Sequence, residues 1–153
     1  MRPTLYEFAG GDPALRALAR AHHANCVADP VLNHMFDRDD NHPQHVERLA
    51  AYWAEVLGGP RAYSESCGDQ SHVLALHSGN GPVDSTDLGS RFHACFVQAL
   101  DDAGLPDDPE FRAALSAYMD WAVVDVLSGP EDDPARVEPG LPMPRWGWGG
   151  LEP

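Results

Sequence analysis

The chain has 153 residues, the length of one ordinary domain, and 43% of them are hydrophobic. Its formal net charge is −14, from 24 acidic and 10 basic residues, and every basic residue is an arginine. This charge argues against nucleic acid and anionic membranes as partners, because both attract clustered positive charge, and no segment reaches the roughly 20 apolar residues of a membrane span.

The first half of the chain is predicted to be helical. Asp12-Pro13 is typical of a helix start, with the aspartate as N-cap and the proline in the first turn. Asp29-Pro30 ends this helix and begins a short turn. A second helix opens at His42-Pro43 and stops at Gly58-Gly59-Pro60. The predicted buried positions follow helical spacing; they are Leu15, Leu18, His22 and Cys26 in the first helix and Val46, Leu49, Ala50, Trp53, Val56 and Leu57 in the second.

The second half continues the helical pattern. A short helical piece around residues 73–77 runs into a Gly/Asn/Pro loop. Ser85 is predicted to cap a helix from Thr86 to about Ala103, and Asp108-Pro109 begins a final helix. No stretch alternates with period two over a strand's length, so we expect an all-α fold without a sheet. The predicted buried positions are Phe92, Cys95, Phe96, Ala99 and Leu100, then Phe111, Leu115, Tyr118, Ala122, Val123 and Val126.

The composition changes after the last predicted helix. Residues 1–127 form the helical domain, and residues 128–153 are a tail rich in proline and glycine, where a continuing helix is ruled out. We expect this tail to be irregular. Trp146 and Trp148 are too apolar for a solvated linker, so they are expected to dock on the domain, with binding to a partner as the alternative.

The N-terminus and the cysteines indicate the compartment. The first residues carry no apolar stretch of signal-peptide type. The three cysteines, Cys26, Cys67 and Cys95, are far apart and odd in number, which is typical of reduced thiols. We therefore expect a cytoplasmic protein.

Several histidines are candidate ligands. His77 closes the apolar run Val73-Leu74-Ala75-Leu76 just before the chain breaks, and neutral imidazole is the commonest protein ligand for metals. His45 borders an apolar stripe, so it points into an interior pocket or lies at its rim. His22 and His23 are adjacent on one helix, so one of them must sit near its apolar face.

The order of these features resembles the truncated haemoglobin family, in particular its second group, from about Leu5 to Leu127. The specific parts are the glycine pair Gly10-Gly11 and the run Gly58-Gly59-Pro60-Arg61-Ala62-Tyr63-Ser64-Glu65. Further matches are residues 28–32, His77 and residues 103–112. The resemblance implies a truncated globin, a two-over-two helical sandwich around one haem b.

Three residues carry over to the haem and its iron. His77 is similar to the proximal iron ligand of the family, and the resemblance makes it the metal ligand of this chain. Phe36 matches the aromatic residue that packs on the porphyrin face. Arg48 is similar to a basic residue that pairs with a haem propionate.

Four residues carry over to the distal side, where ligands bind. His45 falls at the main distal position, with Leu49 one turn later. His23 stands where the family usually has tyrosine, and Phe92 stands where the second group usually has tryptophan. These two replacements remove a phenol and an indole donor, so they change the hydrogen bonds available to a bound ligand.

The resemblance implies a haem protein that binds O2, NO or another diatomic ligand as a carrier, store or sensor, in a monomer or a homodimer. A redox enzyme is the first alternative, for nitric oxide dioxygenation or peroxide reduction; it needs an external reductase, because the chain carries no reductase domain. A non-haem metal protein or a helical interaction module with a tryptophan-bearing tail is the second alternative.

Overall fold

The computed structural model describes residues 2–30, 32, 45–66, 85–127 and 143–152. Almost all of this part is helical, as expected. The elements in chain order are α1 (Leu5–Ala9), α2 (Asp12–Ala28), α3 (His45–Val56), α4 (Ala62–Ser66), α5 (Ser85–Asp102), α6 (Pro109–Leu127), β1 (Trp146–Gly147) and β2 (Gly150–Leu151). Three predicted features lie outside the described residues. They are the start of the second helix at His42-Pro43, the helical piece at residues 73–77 and most of the tail.

A sharp turn at two glycines separates α1 from α2. Gly10 and Gly11 have φ angles of 119° and 79°, a region that residues with a Cβ rarely adopt. Gly11 is the N-cap of α2, so the prediction that Asp12 caps this helix is wrong. Asp12 is instead its first residue, and its carboxylate accepts a hydrogen bond from the Tyr6 hydroxyl at 2.8 Å.

Three helix–helix contacts join the four main helices. α2 packs against both α3 and α5, and α5 packs against α6. Most of the positions that helical spacing predicts to be buried are buried, including Leu15, Leu18, Ala50, Trp53, Val56, Phe96, Leu100, Phe111 and Leu115. Five others are half-buried, namely Val46, Leu49, Phe92, Ala122 and Val123, and the side chain of Val126 lies outside the described residues. The all-α fold is thus confirmed, and one hydrophobic core cluster includes residues of all four main helices.

The corner after α3 is closed by close backbone approach. A Cβ on Gly59 would lie 2.7 Å from the Ala54 carbonyl oxygen and 2.8 Å from the Tyr6 ring. Only glycine fits there without a shift of the backbone. The Gly59 amide can therefore donate to Ala54 O at 2.7 Å at the end of α3. The Tyr6 amide of α1 donates to Leu57 O at 2.9 Å, so α1 lies against this corner.

The boundaries of the last two helices follow the predictions closely. α5 begins at Ser85, one residue before the expected start, and ends at Asp102, one residue before the expected end. Gly104, with φ of 72°, turns the chain. The Asp108 carboxylate accepts a hydrogen bond from the Phe111 amide at 2.8 Å, so Asp108 caps α6 as predicted.

The described end of the tail is a small hairpin with two residues in each strand, so the expectation that the chain contains no sheet is wrong. β1 and β2 pair antiparallel, with Trp146 opposite Leu151 and Gly147 opposite Gly150. Two-residue strands are too short to show an alternating pattern, which is why the sequence did not reveal them. Gly150, with φ of 110°, lets the chain reverse after Trp148 and Gly149.

Both tail tryptophans dock on the helical domain, as expected. Trp146 is 8% exposed, and its Nε1–H donates to the Ala114 carbonyl of α6 at 3.0 Å. Trp148 Nε1–H donates to the Pro3 carbonyl at 2.8 Å, and its ring packs edge-on against Phe8.

A charged contact completes the docking of Trp148. The Arg2 guanidinium lies 3.5 Å from the centre of the Trp148 ring and donates two hydrogen bonds to Glu110. We call Arg2, Phe8, Glu110 and Trp148 the tail clamp.

Among the residues that the structure describes, no helix is long and apolar enough to cross a membrane.

Candidate functional site

A histidine lies where three helices meet. His22 of α2 is 1% exposed, and the centre of its ring is 4.5 Å from Phe92, 5.3 Å from Trp53 and 5.9 Å from Phe96. All three contacts are edge-to-face. Trp53 belongs to α3, and Phe92 and Phe96 belong to α5. We call these four residues the histidine cage.

The polar side of His22 faces a thiol. Cys26, one turn later on α2, places its Sγ 3.5 Å from His22 Nε2. Burial, and next the nearby thiol of Cys95, raise the pKa of Cys26, so its sulfur keeps its proton at physiological pH. Cys26 and Cys95 are both free and buried, whereas Cys67 lies outside the described residues.

The neighbouring histidine has a different environment. His23 is half-buried, and burial lowers its pKa. Its ring is therefore neutral at physiological pH, with one ring nitrogen as donor and the other as acceptor. The sequence predicts that one of the two histidines faces the core, and the structure identifies His22 as that residue.

The three helices that meet at His22 also carry half-buried apolar side chains. Leu49 of α3 lies one turn before Trp53, and Phe92 of α5 contacts His22 directly. Both are partly buried and pack against the edge of the core, as do Val46 and Ala21. The contacts of the histidine cage thus bring together the helices that carry His23, Leu49 and Phe92.

The remaining predicted site residues are described in part or not at all. Arg48 is half-buried on α3, next to Leu49. His45 is the first residue of α3, and its side chain lies outside the described part of the chain. Phe36 and His77 also lie outside it, so their predicted roles stay predictions.

A buried carboxylate that the sequence analysis did not single out shapes the next corner. Glu55 is 2% exposed, and its Oε1 accepts a hydrogen bond from the Ser64 amide of α4 at 2.9 Å. A carboxylate at a helix N-terminus satisfies an amide that has no partner within the helix. The sequence signal for this role was a glutamate between two apolar residues of the predicted helix, Ala54 and Val56. Glu55 fixes the direction in which the chain leaves α3.

The described residues suit a haem. A haem presents flat apolar faces and anionic propionates, and it needs neutral nitrogen donors near its iron. Leu49 and Phe92 supply apolar surface that the core leaves half-buried, His23 supplies a neutral imidazole, and Arg48 supplies a cation on the neighbouring helix. The donor set and the apolar edge therefore fit the group that the sequence resemblance implies.

Comparison with known proteins gives a consistent picture. Residues 4–125 match the family described as bacterial-like globin. The thermostable haemoglobin of the actinobacterium Thermobifida fusca is 30% identical, over 81% of this chain and 96% of that one, with a TM-score of 0.65. The haemoglobin of Chloroflexus aurantiacus is 26% identical over 82% of this chain and 98% of that chain, with a TM-score of 0.66.

A more distant structure shares the fold. The group II truncated haemoglobin of Bacillus anthracis is 20% identical, over 85% of this chain and 95% of that chain, and its TM-score is 0.69. The resemblance to truncated haemoglobins seen in the sequence is thereby confirmed, together with the truncated globin fold.

Proposed function

The chain belongs to the bacterial-like globin family, and we propose that it uses a b-type haem to bind O2 or another diatomic ligand reversibly, as a carrier, store or sensor. It is a haem protein that binds diatomic ligands. One observation carries the finer proposal: the histidine cage joins the three helices that bear His23, Leu49 and Phe92. These are the positions at which the resemblance expects the ligand pocket.

Three residues are proposed to hold the haem. His77 offers a ring nitrogen to the iron, Phe36 packs on the porphyrin face, and Arg48 pairs with a propionate carboxylate. When bound, the haem supplies an iron centre that coordinates the ligand.

The distal residues are proposed to select and retain the ligand. Leu49 and Phe92 exclude water, because their apolar side chains leave no hydrogen-bond partner for it. His45 donates a hydrogen bond to a ligand that carries partial negative charge, and neutral His23 offers a second donor. A hydrogen bond in a dry pocket is stronger than one in water, so these donors slow ligand release.

A redox enzyme is the second candidate function. Burial keeps His23 neutral, and a neutral imidazole can accept a proton from a peroxide, which assists O–O cleavage. Sustained turnover would require an external reductase as a partner. For either function we propose a cytoplasmic protein, monomeric or homodimeric.

The rate of O2 release tests the proposal. The purified full chain is expected to show an intense Soret band and, after reduction, to bind and release O2 reversibly. His45→Leu should speed release about tenfold or more, because loss of a buried hydrogen bond costs roughly 1.4 kcal/mol. The measurement is stopped-flow displacement of O2 by CO.

Two further variants complete this experiment. His23→Leu identifies the donor: an increase there, with His45→Leu unchanged, transfers the role to His23. His93→Gln is the control, because His93 Nε2 contacts Ser116 and Asp120 on the α6 side. A protein that takes up no hemin contradicts the haem function. Rapid turnover of peroxide or NO with a reductant, and no stable O2 complex, supports the enzyme instead.

A further inference from the structure

The ring of Phe92 is held differently from the other rings of the histidine cage. Trp53 and Phe96 contact each other, with centroids 5.1 Å apart, as well as contacting His22. Among the described residues, Phe92 makes its aromatic ring contact with His22. The two ring centroids are 4.5 Å apart, the shortest such distance between described aromatic rings. Phe92 is half-buried and also packs against the edge of the hydrophobic core.

The orientation of the His22 ring is itself fixed from several sides. Trp53 and Phe96 meet it at interplanar angles of 65° and 74°, and Cys26 lies in contact with Nε2. The Cys26 thiol thus adds a third contact to the ring, beside those of Trp53 and Phe96. The edge that His22 presents to Phe92 therefore has one defined orientation.

Cys26 is anchored in turn to α5. It lies next to Cys95, whose carbonyl oxygen accepts a hydrogen bond from Asn25 Nδ2 at 3.2 Å. Asn25 Nδ2 also contacts the Asp102 carboxylate near the end of α5. These contacts hold α2 against α5 close to His22 and Phe92.

We propose that His22 is a positioning residue for the ligand pocket: its imidazole, seated against Cys26, Trp53 and Phe96, fixes the orientation of the Phe92 ring and thereby sets the rate of ligand release. This inference rests on the proposed function, because it requires Phe92 to line the ligand pocket. His22 acts only through Phe92 and does not touch the ligand.

Two substitutions at His22 separate its ring from its polarity. His22→Leu keeps an apolar side chain but removes the edge that meets Phe92. It is expected to raise the O2 off-rate at least about threefold, because an edge-to-face aromatic pair is equivalent to roughly a two- to tenfold change in an equilibrium constant. The C–O stretching band of the CO complex should shift or broaden with it. His22→Phe restores a ring and should bring both readouts back toward wild type, the off-rate to within about twofold.

A neighbouring histidine supplies the matched control. His93 directly follows Phe92 on α5 but bonds to Ser116 of α6. His93→Leu should leave the off-rate and the CO band unchanged. If His93→Leu changes them as much as His22→Leu does, or if His22→Leu changes neither, the proposal is wrong.

A direct measurement of the ring covers the case in which His22→Leu folds poorly. In phenylalanine-labelled protein, NMR should show slow flipping of the Phe92 ring in wild type and faster flipping in Cys26→Ala, which frees His22 Nε2. Equal flip rates in the two proteins overturn the proposal. This measurement needs no haem, so it separates failure of the positioning role from failure of the haem function, which appears as absence of hemin uptake.

Discussion

The histidine cage and the tail clamp both use aromatic rings to join distant parts of the chain, but they do so in opposite environments. The cage encloses His22, Trp53 and Phe96 in the core. The clamp lies at the surface, where the side chains of Arg2 and Glu110 are 46% and 62% exposed. Buried contacts define geometry because they cannot be exchanged for water, whereas exposed ion pairs contribute little. We therefore expect changes in the cage to alter ligand binding and changes in the tail to alter stability alone.

The largest expected effect on stability is at Trp146, where the tail hairpin enters the core. Trp146→Ala removes its contacts with Tyr118 and Trp121 and the hydrogen bond to Ala114. We expect a loss of about 3–5 kcal/mol in the free energy of unfolding, as for other buried tryptophans. Denaturant titration measures it, and truncation after Leu127 should act in the same direction.

The control for this prediction is on the same hairpin. Leu151 is 51% exposed, so Leu151→Ala should change the free energy of unfolding by no more than about 0.5 kcal/mol. The O2 off-rate of Trp146→Ala should equal that of wild type. If this off-rate rises while stability is unchanged, the division between the two regions is wrong.

An intermediate effect on stability is expected at His23 when the pH is lowered. Burial lowers the pKa of His23 in the folded protein, so below about pH 6.5, the usual pKa of histidine, the unfolded chain binds a proton that the folded chain resists. The contribution of neutral His23 is present above that pH and is lost as the pH falls. His23→Gln should therefore lose less stability than wild type between about pH 7 and pH 5, in melting temperatures measured across this range. Parallel profiles would contradict this account of His23.

The smallest effect is expected in the tail clamp. Arg2 lowers the pKa of Glu110, so their pair stabilises the fold above about pH 4 and is lost as the pH falls through the acid range. Both side chains are exposed, and salt screens such pairs. Arg2→Ala and Glu110→Gln should each move the melting temperature slightly at low salt and even less at high salt. A large fall in melting temperature that does not depend on salt would contradict this small role of the tail clamp.

Local signals explain how much of this fold could be predicted. The spacing of Leu15, Leu18, His22 and Cys26 identified the buried face of α2, because every third or fourth residue shares one side of a helix. Asp108 was correctly read as a cap because capping depends on neighbouring residues. The helical fold and its resemblance to truncated haemoglobins followed from such signals and were confirmed.

Contacts between distant residues explain what was missed. Periodicity placed His22 in the core but not against Phe92, since their contact depends on how α2 and α5 pack. The tail hairpin has strands of two residues, and Trp146 is held by α6 rather than by its sequence neighbours. Gly11 and not Asp12 is the cap of α2, and the Asp12 carboxylate accepts a hydrogen bond from the Tyr6 hydroxyl. The roles of His77, Phe36 and His45 come from the family resemblance.

Hemin titration of the full chain tests the central claim, that this globin holds haem through His77, most directly. His77→Gly should bind hemin far more weakly than wild type, and free imidazole in the buffer should restore both the affinity and the absorption spectrum, because it replaces the missing ring nitrogen. His93→Gln is the control, because the His93 ring contacts Ser116 of α6, and this variant should bind hemin like wild type. Equal hemin affinity and an unchanged iron spectrum in His77→Gly would contradict the account.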